Sequence, residues 1–214
     1  MTIMKRQDRF FFCCGLILLA SEIWKQWTLT FQLNHGVYNF WYFPFQLCSV
    51  PMYVCLILPW VRSGKLYQAL LAFLMDFSLL GGIFAFCDTS GMHYRYAPLT
   101  VHSFAWHFAL IGIGAAAGYV RRKTQDKSPY RGPALCYLSC CLIATGLNLF
   151  CYQYGSINMF YISPHYPMTQ KFFCQLARVI GDPGGIACYI GASLLGGYLI
   201  HRLGTTTLTS RSSL

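Results

Sequence analysis

Val101-His-Ser-Phe-Ala-Trp-His-Phe-Ala-Leu-Ile-Gly-Ile-Gly-Ala-Ala-Ala-Gly-Tyr-Val120, followed at once by Arg121-Arg122-Lys123, decides the fold class of this 214-residue chain. The stretch holds no Lys, Arg, Asp or Glu before the basic triplet. A helix rises about 1.5 Å per residue, so about 20 apolar residues cross the hydrocarbon layer of a bilayer. A cluster of positive charge directly after such a run marks the cytoplasmic face.

Five more segments have the same character: Phe10–Phe31, Phe40–Val61, Lys65–Cys87, Ala134–Tyr154 and Phe172–His201. With Val101–Val120 they predict an all-α, single-domain bundle of six transmembrane helices over residues 1–214. Composition agrees. The chain is 56% hydrophobic and 10% charged, against roughly 25% charged in soluble proteins. Disorder is excluded by the apolar content, and a small disulfide scaffold by the length.

The net charge of +10 would suggest nucleic acid in a soluble protein. Here no aromatic-interleaved basic patch exists, and the charges report orientation instead. Lys5, Arg6, Arg9, Arg62, Lys65, Arg121, Arg122, Lys123, Lys127, Arg131, Arg202 and Arg211 fall on one side if six spans alternate. Lys25, Arg95 and Lys171 fall on the other, and Arg178 lies inside the sixth span. That bias places both termini in the cytoplasm, in a multi-pass protein of the cell membrane. The first segment reads as a retained span, because Leu18 occupies the small-residue position that cleavage after Ala20 requires.

Eleven cysteines contain no CxxC pair and read mainly as small packing residues. Cys87, Cys151 and Cys174 lie near outer span ends, where oxidation is chemically open. Gly114 and Gly118 form a GxxxG pattern, which serves close helix packing inside the bundle or between two copies in a homo-oligomer. Gly181-Asp182-Pro183-Gly184-Gly185 predicts a break in the last span. The Ser- and Thr-rich end after Gly204 predicts a flexible tail.

Ionisable residues inside spans are costly, and each is a functional candidate. Glu22, Lys25, Asp76, His102, His107, Arg178 and Asp182 qualify, joined by Gln46, Cys48 and Asn148. Under the six-span topology all but Asp76 sit in the extracytoplasmic half. Their common depth predicts a polar cavity there. Simpler roles compete with it. Glu22 and Lys25 are three apart and Arg178 and Asp182 four apart, spacings that favour ion pairs on one helix. His102 and His107 are five apart, about 140° round a helix, and do not share a face.

The chemistry open to this set is nucleophilic acyl transfer. A thiolate attacks an ester, a histidine manages the proton, and a cation or amide steadies the developing charge. Cys48 and His107 are the catalytic candidates. Glu22, Gln46, His102, Asn148, Arg178 and Asp182 are the substrate-binding candidates, with membrane lipids as partners. No HExxH or similar motif is present, and neither a metal nor another cofactor is expected.

Pro44-Phe45-Gln46-Leu47-Cys48, within Phe40–Tyr53, resembles the start of the second span in the YwaF family of bacterial integral membrane proteins, which carries Pro-x-His-Leu-Cys or Pro-x-Gln-Leu-Cys there. Thr100–Ile111, with His107, and Ser21-Glu22 are similar to the same family. That family is related to a eukaryotic transmembrane acyltransferase of phospholipid remodelling. The resemblance implies a six-helix lipid-acyl enzyme with a nucleophile early in the second span and a histidine in the fourth. In the eukaryotic relative the cysteine directly follows the proline, in a Pro-Cys-His, where this chain has Phe45 and Gln46. Cys48 lies three residues further on, on about the same helix face. Two other readings remain open: a small transporter or ligand-binding protein using the broken sixth helix, and a scaffold in which buried charges hold helices together.

Overall fold

The computed structural model describes residues 5–61 and 64–209, with side chains up to residue 205. Arg62 and Arg211, two of the charges used for orientation, lie outside the described residues. Among those described every regular element is helical. α1 (Arg6–Trp27) runs on as a π-helical turn, Thr28–Leu33. α2 is Val50–Val61. α3 (Gly64–Phe73) continues through a π-helical turn, Leu74–Ser78, into α4 (Leu79–Phe84). α5 spans Ala97–Lys123, α6 Arg131–Cys151 and α7 Lys171–Thr209.

Five helices are long and apolar enough to cross a membrane: Arg6–Leu33, Gly64–Phe84, Ala97–Lys123, Arg131–Tyr154 and Lys171–Thr205. Their outer faces carry Ile17, Ile23, Phe108, Leu142, Phe150 and Val179, all exposed. Apolar side chains on this scale over a whole exterior fit a lipid solvent and not water. The remaining segment departs from the expected helix over Phe40–Val61. It opens with a single 3-10 turn, Phe40–Tyr42, and becomes α-helical only at Val50, giving 12 residues. Pro44 and Pro51 are the local reason: proline disfavours the α region before Pro44, and Pro51, with no N–H to bond back into the preceding turn, sits in the first turn of α2.

The segment nonetheless travels the length of α1 in the opposite direction. Gln26 Nε2 donates to the Tyr42 carbonyl at 2.6 Å. The Phe12 and Trp60 rings meet edge-on at 5.3 Å. Just beyond, Tyr67 donates to Asp8 Oδ1 at 2.7 Å. Gly15 makes the contact close, since a Cβ there would lie 3.0 Å from the Leu56 side chain.

The helix Gly64–Phe84 is the axis of the bundle. Of its most apolar window 72% is buried, against 17% to 33% in the other four. Small residues bring the neighbours onto it, as in membrane bundles generally. A Cβ on Gly82 would come 3.1 Å from the His107 carbonyl, and one on Gly114 2.7 Å from Leu79. The GxxxG face is therefore used within the chain, with Gly118 against Met75. Phe77 stacks on Tyr137 of α6 at 4.8 Å, and Gly196 and Gly204 of α7 meet Leu80 and Met75.

The last helix breaks where the sequence predicts. Gly181 has φ +80° and ψ 160°, outside the helical region. Its end differs from expectation: α7 continues through Thr209, so the tail from Thr205 to Thr209 is helical.

Candidate functional site

The end of the bundle opposite the Arg121–Lys123 cluster holds most of the residues singled out from the sequence. It is built around a buried, irregular loop, Ile157–Ser163, that follows α6. Ile157, Asn158, Met159, Phe160, Ile162 and Ser163 are all buried. Backbone polar groups in such a loop need partners, above all within a membrane domain. Gln46 and Asn148 supply them. Gln46 Nε2 donates to the Asn158 carbonyl at 2.8 Å, and its Oε1 accepts from Phe160 N–H at 2.7 Å. Asn148 Nδ2 donates to the Met159 carbonyl at 3.0 Å, and its Oδ1 accepts from Met159 N–H at 2.6 Å. Between them the two amides hold the loop in a strained path: Phe160 and Tyr161 have φ of +56° and +57°, a region aromatic residues rarely occupy. Both amides, read from sequence as substrate contacts, have their amide groups engaged with this loop.

Cys48 lies just before α2. Its carbonyl accepts the indole N–H of Trp106 at 3.0 Å, which ties this segment to α5. Its thiol is within electrostatic reach of Lys25 and Glu22 on α1, and of Tyr94, Tyr161 and Tyr189. The loop phenols Tyr94 and Tyr161 stay protonated, because burial pushes both up, Tyr161 to about 12. They therefore present O–H groups to this region.

Glu22 is buried and pairs with Lys25 at 2.7 Å, and it also accepts from Gln26 Nε2 at 2.7 Å. The i, i+3 pair expected from spacing is thus formed. Lys25 reaches further, since its charge acts on Cys48, His102 and His107 together. His107 Nδ1 lies 2.8 Å from the Ser103 carbonyl. A carbonyl only accepts, so Nδ1 carries the hydrogen and Nε2 is left with its lone pair. His102 sits between the rings of Trp24 and Trp106, 5.6 Å from each, and its Nε2 has no hydrogen-bond partner among the described residues. No hydrogen bond joins Cys48 to His107 among the described residues.

Arg178 and Asp182 are placed differently. Both are exposed. Asp182 Oδ1 accepts from Met168 N–H at 2.9 Å, and the spacing-based ion pair with Arg178 is absent among the described residues. The physical reason is Gly181: a helix broken between the two no longer brings residues four apart onto one face. All eleven cysteines are free, Cys87, Cys151 and Cys174 included.

A groove of about 440 Å³ runs between α1 and the 38–53 segment. Glu22, Gln26, Tyr38 and Tyr53 supply its polar groups, and Trp27 and Phe31 its outer wall. Trp27 and Phe31 are half or more exposed on the apolar exterior, so the groove faces the space lipid would fill.

Neither the buried loop at Asn158 nor Trp106 as the anchor of Cys48 has a signal in the sequence. The former reads as an ordinary connection, and the latter as one aromatic among many in an apolar span. Compared with family models, with curated proteins and with solved structures, the chain matches none.

Proposed function

We propose that this chain is a multi-pass enzyme of the cell membrane that transfers or hydrolyses acyl groups of membrane lipid esters. The observation that carries the reading is the arrangement round Lys25. One partly buried cation lies within electrostatic reach of a thiol, Cys48, and of two imidazoles, and one of these, His107, has its free Nε2 fixed by the bond to Ser103. The short likeness of residues 44–48 and 100–111 to the YwaF family is the second support.

In this reading the Cys48 thiol attacks the carbonyl carbon of a lipid ester, and His107 Nε2 takes the thiol proton. No hydrogen bond joins the two side chains, so the proton passes by way of substrate or water. Lys25 and the phenol O–H groups of Tyr94 and Tyr161 steady the oxyanion or the lipid phosphate. The tetrahedral intermediate collapses to a thioester on Cys48, and the lyso-lipid alcohol leaves with the proton from His107. An alcohol or water then accepts the acyl group. The groove beside Glu22 admits the lipid from the side. Six crossings with cytoplasmic termini go with this proposal, supported by the antiparallel course of residues 42–60 along α1.

The test compares lipid profiles of membranes holding the wild type and His107→Ala at matched protein levels. Redistributed acyl chains or lyso-lipids in the wild type alone support the enzyme. Identical profiles with both proteins folded overturn it. A small transporter is the second reading, favoured by the break at Gly181. It predicts loss of uptake, not of lipid turnover, when Gly181 is replaced.

A further inference from the structure

At the other end of the bundle, away from Cys48, a second polar cluster is buried. Asp76, Arg121, Asp126 and His201 are each less than 8% exposed. They come from the π-helical turn, α5, the loop after α5 and α7. Arg121 Nε donates to Asp126 Oδ2 at 3.2 Å, and Arg121 Nη2 donates to Ser128 Oγ at 3.2 Å. Those two opposite charges balance. His201 Nδ1 lies 2.8 Å from Asp76 Oδ2 and 3.2 Å from Arg121 Nη1, while His201 Nε2 lies 3.1 Å from the Ser128 carbonyl. From the α6 side Tyr130 packs its ring on His201 at 5.5 Å and gives its hydroxyl hydrogen to the Leu194 carbonyl.

The donors and acceptors settle where the hydrogens belong. A carbonyl accepts only, so His201 Nε2 carries a hydrogen toward Ser128. A guanidinium donates only, so Arg121 Nη1 points a hydrogen at Nδ1, which offers its one lone pair as a bifurcated acceptor, the longer contact to Arg121 and the shorter to Asp76. An ionised carboxylate at 2.8 Å would then face that lone pair with its own. A carboxylic acid would instead donate to it. Asp76 Oδ1 adds an independent observation: it is fully buried and has no partner among the described residues. A charged oxygen stranded there costs far more than the carbonyl oxygen of a neutral acid.

We infer that Asp76 is a proton-binding site, a neutral carboxylic acid that donates its Oδ2 hydrogen to Nδ1 of a neutral His201 within the membrane bundle. The ligand is one proton. With it bound, the cluster holds Arg121 and Asp126 as an ion pair beside a neutral pair, and carries no net charge. Its loss leaves a buried carboxylate against a lone pair and pushes α7 away from the central helix. The site stands apart from the lipid-ester reading and does not depend on it.

The experiment is infrared spectroscopy of the purified full chain in lipid nanodiscs, with thermal unfolding of the same samples. At neutral pH the wild type should show a protonated-carboxyl C=O band that is missing in Asp76→Asn and fades as pH is raised. Asparagine offers an N–H donor and a C=O in the places of the acid. Asp76→Asn should therefore melt within a few degrees of wild type and lose less stability than wild type at alkaline pH, whereas Asp76→Ala should melt markedly lower. Absence of a carboxyl band assignable to Asp76 would overturn the inference. So would an Asp76→Asn protein that fails to fold or melts as low as Asp76→Ala, because that is the behaviour of a carboxylate paired with an imidazolium.

Discussion

Gln46 grips the loop at Asn158 from more than one hundred residues away in sequence: its Nε2 donates to the Asn158 carbonyl at 2.8 Å while its Oε1 accepts from Phe160 N–H at 2.7 Å. A side-chain amide thus takes the place of a backbone partner for a stretch whose own regular structure is one distorted 3-10 turn, Met159–Tyr161. Removing it strands a donor and an acceptor in a buried setting. Gln46→Ala should destabilise the protein by about 2–4 kcal/mol, read as a lower melting temperature in detergent. Gln46→Glu keeps the acceptor for Phe160 N–H but sets an oxygen against the Asn158 carbonyl, so it should also destabilise.

Asn148 holds the same loop one residue along, through both its amide atoms. Asn148→Ala should cost about as much as Gln46→Ala. The double variant should cost less than the sum, because either change alone already frees the strained Phe160–Tyr161 path. Strict additivity in a double-mutant cycle would show that the two amides secure independent structure.

Trp106 anchors Cys48 by its backbone and not by its thiol. Trp106→Phe removes that one hydrogen bond and should cost about 1 kcal/mol of stability. If Cys48 is the nucleophile, lipid turnover should fall further than stability does, since the thiol loses its fixed position relative to His107. Cys48→Ala should abolish turnover with the fold retained. Full turnover in Cys48→Ala would remove Cys48 from the mechanism.

The glycines of α5 separate packing within the chain from packing between copies. A Cβ at Gly114 would lie 2.7 Å from Leu79, whereas one at Gly112 would meet nothing within 4 Å. Gly114→Ala should destabilise by about 1–3 kcal/mol through overpacking. Gly112→Ala should stay within about 0.5 kcal/mol of wild type. A homo-oligomer formed through Gly114 and Gly118 would instead show Gly114→Ala as a loss of cross-linked dimer at unchanged melting temperature.

The six-crossing topology has its own check. Single cysteines at exposed positions of residues 89–98 and 156–169, such as Ser90, Arg95, His165 and Thr169, in a background stripped of accessible thiols, should react with an impermeant reagent added outside cells. Those in residues 123–130 should not. Outside labelling of the basic loop would end the six-crossing arrangement and the outer-half site with it.

Much of this fold is legible in the residues alone. Runs of about 20 apolar residues locate the long helices within a few positions, and Gly181-Asp182-Pro183 marks the break in α7. The segment from Phe40 to Val61 misled, because hydropathy registers apolarity and not backbone shape, and Pro44 and Pro51 keep half of it out of the helix. The Arg178–Asp182 pair failed for a related reason: i, i+4 spacing means proximity only on an unbroken helix. Gln46 and Asn148 were found as polar residues at one depth, yet their engagement with residues 158–160 rests on left-handed backbone that no residue pattern announces. Asp76, Arg121 and His201 are scattered along the sequence, and nothing in their local surroundings predicts that three helices bring them together.

The π-helical turn at Leu74–Ser78 amounts to one residue more than an α-helix needs at that point. It sets the phase of the central helix. Below it α3 offers Ala69 to Gly132, and above it α4 offers Gly82 to His107 and Ile111. Were this turn straightened into a plain α-helix at unchanged length, everything above it would turn by about 100° relative to everything below. Gly82 would then swing off α5, and a larger side chain would arrive where only a hydrogen fits. The turn takes up its extra residue without passing the rotation on, and so keeps the two halves of one helix on their separate partners.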